Sequence, residues 1–270
     1  MKKKCKAEGC YEPADCSHGY CHAHCDKTHA MGSYANRAYP RTNEPHIGVE
    51  IEVEFANQQD LKRALPLNAQ GDGSLQMGAE YKVLAKSNQI CDKAAEVLED
   101  LWSRRAKVTQ RCGLHVHMDA RNVPNSQLVP LFKWFRRTEA IWFGLVPPSR
   151  RNNTYIHKLD DLSYNGGIPS QHYDWVHKTH YSTIEVRLHG GTLNPHKLIG
   201  WLQVLIHLQK KFMDPAFRFN VDCDPWAAFW EVFVDAPSEA VEYLNTRIAK
   251  NGRVPDYAYA TAAGQTVDEA

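Results

Sequence analysis

The sequence predicts an α+β protein in which an antiparallel sheet carries the functional side chains, preceded by a small cysteine-rich module. Three segments with alternating apolar and polar residues indicate strands, at about residues 46–55, 112–119 and 181–188. Segments between them place apolar residues at the spacing of helix faces. The chain has 270 residues, of which 43% are hydrophobic, so it is long enough for one large domain and a small one.

Composition and charge limit the class of protein. The formal net charge of +1 gives no sign of a nucleic-acid-binding surface. No apolar run reaches the ~18 residues of a membrane-spanning helix, and the N-terminus lacks the apolar segment of a secretion signal. Five of the eight cysteines lie between Cys5 and Cys25. We therefore expect a cytoplasmic protein without a membrane partner, whose clustered cysteines bind a metal ion.

Residues 1–27 are predicted to form a zinc-binding knuckle. Four of its side chains form two close pairs of the kind that binds Zn²⁺ tetrahedrally: Cys5, Cys10, Cys21 and His24. Such a short segment buries little apolar surface, so the metal would supply its folding free energy. The pattern resembles small zinc modules of phages and bacteria. Three further side chains remain alternative ligands, and unliganded thiols remain the alternative state: Cys16, His22 and Cys25.

A linker, a main domain and a tail are predicted after the knuckle. Residues 28–44 are rich in Gly, Ser, Asn, Arg and Pro, which predicts the linker. The main domain is expected to span residues 45–256, and residues 257–270 are expected to form a flexible tail. After the first strand, the predicted elements follow in this order: a strand at Glu80–Ala85, a helix at Ser87–Arg105 with Ser87 as N-cap, the strand at 112–119, a helix at Ser126–Leu145, an irregular segment at 146–180, the strand at Tyr181–Leu188, a helix at His196–Lys211, and a helix at Pro225–Ala249 broken near Pro237.

The first predicted strand carries a row of glutamates. Glu50, Glu52 and Glu54 alternate with apolar residues and therefore share one face of the strand. Carboxylates in such a row suit a hard divalent ion. A solvated outer face of the sheet remains the alternative explanation.

His115 and His117 stand two positions apart and predict a shared pocket. Residues at this spacing project to the same face of a strand, whereas they do not share a helix face. The same spacing places Glu185 and Arg187 together on a later strand. A structural pair of strand histidines and a surface ion pair remain the alternatives. The pattern indicates a pocket on the sheet that holds a metal ion and a nucleotide.

Taken in order, the motifs within residues 46–210 resemble the amidoligase family, which comprises carboxylate–amine ligases with a glutamine-synthetase-like fold. The motifs that carry the resemblance are Gly48-Val-Glu50-Ile-Glu52, Asp72-Gly-Ser74-Leu75, Gly78-Ala-Glu80, Gly113-Leu-His115-Val-His117, Arg150-x-Asn152-x-x-Tyr155 and Ile184-Glu185-Val-Arg187-Leu-x-x-Gly191-Thr192-Leu193. The resemblance implies a curved antiparallel sheet with helices on one face. The segment Tyr173–His180 departs from the usual lead-in to the last motif.

The resemblance also implies roles for individual residues. Mg²⁺ would be held by four carboxylates: Glu50, Glu52, Glu80 and Glu185. ATP would be bound with the help of three further residues: Asp72, Ser74 and His115. His117 would complete a metal site or contact a nucleotide phosphate. Arg187 would neutralise charge on the transferring phosphoryl group, as would Arg150 or Arg151.

The implied activity is ATP-dependent amide formation between a carboxylate and an amine through an acyl phosphate. Because an acyl phosphate hydrolyses in water, we expect the segment at 146–180, with Gly166 and Gly167, to act as a lid. A small acid, a peptide or a modified nucleic-acid base all remain open as substrates, and a homo-oligomer remains open as the assembly. The alternative functions are a metallohydrolase or phosphotransferase that uses the same pocket, and a non-catalytic protein that binds partners through the knuckle.

Overall fold

The structure, a computed structural model, describes residues 44–64, 69–71, 75–159 and 167–251. Several predicted features lie outside the described residues and stay predictions: the knuckle with Cys5, Cys10, Cys21 and His24, most of the linker, the tail, Asp72, Ser74 and Gly166. The described chain divides into two compact units. The first unit runs to His117 and also contains Gly191–Pro195, whereas the second contains Met118–Gly190 and the residues from His196 onward.

The first unit is built around a sheet. Its elements are β1 (His46–Glu54), α1 (Gln58–Ala64), β2 (Ala69–Gly71), β3 (Gly78–Lys86), α2 (Ile90–Ser103) and β4 (Gly113–Asp119), whose last two residues belong to the second unit. The strands lie in the order β2–β3–β1–β4, with β3 antiparallel to both β2 and β1. The backbone N–H of Gly191 donates to the carbonyl oxygen of Cys112 at 2.7 Å, so the returning segment bonds to the start of β4.

Both faces of β1 are buried. The predicted apolar face is confirmed, since Ile47, Val49 and Ile51 are completely buried. On the opposite face, Glu50 and Glu52 are only 8% and 7% exposed. The alternative of a solvated glutamate face is therefore wrong. Burying carboxylates is costly unless they have partners, so these two glutamates must be satisfied within the protein.

The second unit combines two strands with several helices. Its elements are α3 (Asn125–Arg137), α4 (Glu139–Gly144), α5 (Pro148–Arg151), β5 (Val176–Lys178), β6 (Thr183–Gly190), α6 (Pro195–Met213), α7 (Pro225–Phe233) and α8 (Ser238–Asn251). Strands β5 and β6 are antiparallel. The predicted α+β class with an antiparallel sheet is confirmed.

A cluster of buried tryptophans forms the core of the second unit. Trp142 meets the rings of Trp134 and Trp201 edge to face, with centroids 6.0 and 5.8 Å apart. Trp175 packs against Trp142 at 5.8 Å. Edge-to-face pairs of this kind add to the free energy gained from burying the large rings. The aromatic residues of the predicted helix at 126–145 are therefore core residues.

Helix boundaries differ from the prediction where side chains bond to the backbone. Helix α2 begins at Ile90, because the Ser87 hydroxyl donates to the carbonyl oxygen of Pro45 instead of capping the helix. The predicted helix at 126–145 is two helices, α3 and α4. The break lies at Thr138, whose hydroxyl donates back to the carbonyl oxygen of Trp134 at 2.8 Å. The predicted break near Pro237 is confirmed by the gap between α7 and α8.

His189, near the end of β6, is a buried histidine that is neutral. Its Nδ1 lies 2.5 Å from the carbonyl oxygen of Gly190 and its Nε2 lies 2.9 Å from the Tyr243 hydroxyl, so the tautomer protonated on Nδ1 satisfies both contacts. Burial, with the neighbouring Arg247, lowers the pKa of His189 to about 3. An unfolded histidine has a pKa of about 6.5, so acid favours the unfolded chain.

We expect His189 to make the protein sensitive to acid. Between pH 7 and pH 5 the unfolded chain takes up a proton here while the folded protein does not, which costs ~2 kcal/mol of stability. Urea unfolding of a His189→Gln variant at the two pH values measures this effect. The free energy of unfolding of the variant should fall by ~2 kcal/mol less between pH 7 and pH 5 than that of the unmodified chain. His180→Gln, at an exposed histidine, serves as the control. An unchanged pH dependence in the His189 variant would contradict the assignment.

Candidate functional site

The first unit brings four charged side chains to one face of the β1–β3 pair. In the antiparallel register, Glu50 lies opposite Lys82 and Glu52 lies opposite Glu80. Residues opposite one another, and residues two apart on one strand, project to the same face. The sequence prediction missed Lys82, although its position two residues after Glu80 carries the signal that would have placed it on this face.

Glu50 is surrounded by basic side chains. Lys82 Nζ lies 3.1 Å from Glu50 Oε1 and 2.9 Å from Glu80 Oε2. On the neighbouring strand β4, His115 Nδ1 and His117 Nε2 each lie 3.5 Å from Glu50 Oε2. The predicted shared orientation of the two histidines is thus seen in the structure, and both side chains are buried.

The carboxyl groups of Glu50 and Glu80 differ in their acidity. Burial alone would raise the pKa of Glu50, but the charge of His117 and the close approach of the His115 and His117 rings hold that pKa well below its usual value. Burial, together with repulsion from Glu50, raises the pKa of Glu80 to about 8 against the attraction of Lys82. At neutral pH, Glu50 is therefore ionised while Glu80 keeps a proton.

Three side chains of the first unit fit a divalent cation. Glu50, Glu80 and His115 each offer one ligand atom, and these atoms all lie within 4.8 Å of one another. Two carboxylate oxygens suit Mg²⁺, and an imidazole nitrogen also suits Mn²⁺ or Zn²⁺. A bound cation would replace the proton on Glu80, because it would remove the repulsion between the two carboxylates.

Glu52 supports β4 from the same face. Its Oε2 accepts the backbone N–H of Gly113 at 2.6 Å, and its Oε1 lies 3.5 Å from His115 Nε2. A Cβ atom at Gly113 would come within 2.6 Å of His115 Nε2, so glycine leaves room for the imidazole. We infer that Glu52 orients His115, and its predicted role as a Mg²⁺ ligand stays a prediction.

The second unit holds a buried ion pair on β6. Arg187 Nη1 lies 2.6 Å from Glu185 Oε1, and the two residues are only 8% and 4% exposed. The alternative of a surface ion pair is therefore wrong. Arg187 Nε is buried and has no hydrogen-bond partner among the described residues. Since an unsatisfied buried donor is costly, this N–H is suited to an anionic oxygen of a ligand.

His177 completes the surroundings of Glu185 within this unit. It lies directly opposite Glu185 in the pairing of β5 with β6, and its Nε2 is 3.3 Å from Glu185 Oε2. The sequence prediction missed His177, because its segment departs from the family pattern and the pairing register is not visible in the sequence.

Arg150 and Arg151 lie on the short helix α5, within the segment predicted to be irregular. The guanidinium of Arg150 is buried and donates to the carbonyl oxygens of Arg187 and His189 at 3.1 and 3.3 Å. Arg151 donates to the carbonyl oxygen of Asn251 at 2.8 Å. We infer that Arg150 holds the backbone of β6 in place. The predicted contact of either arginine with a phosphate stays a prediction.

Comparison with known proteins confirms the resemblance that the motifs suggest. The model of a family described as "Putative amidoligase enzyme" matches residues 83–171, which include β4 with both histidines and helix α5. The match supports a function of the carboxylate–amine ligase kind. No protein with a curated description matches the sequence.

Among solved structures, the chain is similar to a bifunctional glutathione synthetase from Pasteurella multocida. The two share 12% sequence identity with a TM-score of 0.40, and the similarity covers 82% of this chain and 49% of that one. The chain thus spans about half the length of that structure. Within the described residues, the helices are all too short or too polar to cross a membrane.

Proposed function

We propose that the protein is an ATP-dependent carboxylate–amine ligase that forms an amide through an acyl phosphate. The observation that carries the proposal is the convergence of Glu50, Glu80 and His115 in the first unit, whose ligand atoms lie within 4.8 Å of one another. Their chemistry fits the divalent ion that accompanies ATP, and the family match points to amide formation.

In this proposal the first unit provides the cation site. Bound Mg²⁺ would neutralise charge on the phosphate oxygens of ATP. Glu50 is already ionised at neutral pH, and Glu80 would give up its proton as the ion binds. Lys82 would keep its positive charge, because burial lowers the pKa of its amine less than Glu50 and Glu80 together raise that pKa. His117 would orient Glu50, whose oxygen lies 3.5 Å from its Nε2.

Within the second unit, Arg187 is the residue suited to contact a transferring phosphoryl group. Glu185 fixes the guanidinium through Nη1, which leaves the buried Nε–H to donate to an anionic oxygen. Such a donor stabilises charge that develops in the transition state, and it requires little reorganisation because it is held in advance. Arg150 contributes indirectly, since it bonds to the backbone carbonyl of Arg187 itself.

The reaction has two steps. A carboxylate oxygen of the first substrate attacks the γ-phosphorus, and the bond to ADP breaks. The resulting acyl phosphate is then attacked at its carbonyl carbon by the amine, which loses a proton as phosphate leaves. The first step is dominated by positioning and electrostatic stabilisation, which is what buried, fixed charges supply.

Nucleotide turnover tests the proposal. Purified protein would be incubated with Mg²⁺, ATP and pooled amino acids and polyamines, and nucleotides and new masses would be followed by mass spectrometry. We expect ADP to form only when an amine is present, together with a product whose mass equals acid plus amine less water. ATP loss without a condensed product would favour the hydrolase or phosphotransferase alternative. Absence of ATP binding would overturn the ligase assignment.

A further inference from the structure

We propose that the second unit contains a zinc-type metal site formed by His172, His177 and Glu185. All three residues belong to the second unit, and the inference goes beyond the proposed ligase chemistry. It does not depend on ATP being the substrate. His177 lies in the segment Tyr173–His180, and His172 lies just before it. The family resemblance gives neither histidine a role.

The positions of the three side chains follow from the β5–β6 pairing and the turn before it. His177 and Glu185 face each other across the pair, and the His172 ring lies with its centroid 6.2 Å from that of His177. One ligand atom from each of the three residues lies within 4.8 Å of the others. Three protein ligands that converge in this way leave a further coordination position for water or a substrate.

The distance between His177 and Glu185 matches metal coordination. Zinc bonds to nitrogen and oxygen are about 2.0–2.2 Å long, and at a tetrahedral angle they hold the two ligand atoms about 3.4 Å apart. The distance from His177 Nε2 to Glu185 Oε2 is 3.3 Å. The two atoms are therefore already at the separation that a shared ion requires.

The hydrogen bond on the other side of the His177 ring points to the same conclusion. Nδ1 lies 3.2 Å from the carbonyl oxygen of Asp174, which favours the tautomer whose Nδ1–H donates to that oxygen. The lone pair of Nε2 then faces a carboxylate oxygen, and two acceptors in contact need a cation between them. Metal-binding histidines usually donate their second N–H to a backbone carbonyl in this way. The competing account is the other tautomer, whose Nε2–H donates to Glu185 Oε2 without a metal ion.

Charge and exposure favour a transition ion over Mg²⁺. Two imidazole nitrogens and one carboxylate suit Zn²⁺, whereas Mg²⁺ prefers oxygen ligands. The second oxygen of Glu185 is held by Arg187, and hydrogen bonding of this kind is typical of carboxylates that bind metals. His177 and Glu185 are 3% and 4% exposed, while His172 is exposed and offers a path for the ion. Glu185 would thus serve a nitrogen-rich site rather than the magnesium site inferred from the resemblance.

Zinc stoichiometry of the full chain tests the inference. Metal-free protein would be equilibrated with Zn²⁺, and bound zinc would be counted by elemental mass spectrometry for the unmodified chain, His172→Gln and His177→Gln. We expect each variant to bind one equivalent less than the unmodified chain. His180→Gln, an exposed histidine on the same segment, is the matched control and should bind the full amount. Because His172 is itself exposed, its substitution tests metal binding with little effect on folding.

Cobalt spectra distinguish this site from the predicted cysteine knuckle. Co²⁺ bound by two histidines and a carboxylate lacks the thiolate charge-transfer absorption of a cysteine site, so the spectrum lost in His172→Gln should contain no such band. The same Co²⁺ absorption should be lost when His172→Gln is introduced into a Glu50→Gln background. This result would show that Glu50 is not a ligand of the ion that produces this absorption. Equal zinc content in the unmodified chain and both histidine variants would overturn the inference and leave a direct hydrogen bond between His177 and Glu185. A zinc site with no ATP turnover would overturn the ligase proposal alone.

Discussion

Replacing Glu50 with glutamine is expected to abolish divalent-dependent ATP binding. The change keeps the shape of the side chain and removes the charge that Lys82, His115 and His117 surround. It also leaves Glu80 without a second carboxylate beside it, and the pKa of Glu80 stays raised by burial, which is its largest cause. Substituting a residue that only supports a metal ligand typically lowers the affinity for the metal about 10–100-fold. Loss of the ligand itself should lower that affinity at least about 100-fold.

Isothermal titration with ATP in the presence and absence of Mg²⁺ measures this effect. Glu54→Gln is the matched control, because it makes the same chemical change on the same strand at a residue outside the cluster. Its ATP affinity should equal that of the unmodified chain. Circular dichroism would show that both variants are folded. An unchanged ATP affinity in Glu50→Gln would remove Glu50 from the metal site.

Replacing Arg187 with methionine is expected to destabilise the second unit strongly and to stop turnover. The buried Glu185 carboxylate would lose the guanidinium that lies 2.6 Å away. Removing one partner of a buried ion pair typically costs about 3–5 kcal/mol, because it leaves an uncompensated charge. In the double variant with Glu185→Gln that charge is absent, so part of the lost stability should return.

Arg121→Met is the matched control for Arg187. Arg121 also pairs with an acidic residue two positions away, Asp119, at 2.6 Å, but its side chain is 31% exposed. A partly exposed pair of this kind contributes about 0–1 kcal/mol. Urea unfolding of the two variants should therefore show that Arg187→Met loses several times more free energy of unfolding than Arg121→Met. Equal losses would mean that burial does not determine the strength of the Arg187 pair.

The sequence predicts most elements of the fold because their patterns are local. Alternation along β1 and helical spacing along α2 and α6 appear directly in the chain. Boundaries were predicted less well where a single side chain decides them, as when the Ser87 hydroxyl bonds to Pro45 and the Thr138 hydroxyl bonds to Trp134. Such contacts depend on three-dimensional neighbours that the sequence does not show.

Spacing within a strand predicted only part of the candidate site. Glu50, His115 and His117 were found because residues two apart share a face. Lys82 and His177 were missed, since each becomes part of a site through the register between two strands. The carbonyl contacts of Arg150 were also invisible, because they depend on how a helix and a strand pack together.

The first unit is interrupted in sequence by part of the second, and this order affects how it is synthesised. Gly191–Pro195 belongs to the first unit, and the Gly191 N–H bonds to the carbonyl oxygen of Cys112. A ribosome therefore releases the start of β4 well before the segment that completes its surroundings. Because domains usually fold as units during translation, we expect the first unit to gain its last hydrogen bonds late. The bond from Gly191 to Cys112 forms only after the inserted stretch has left the exit tunnel.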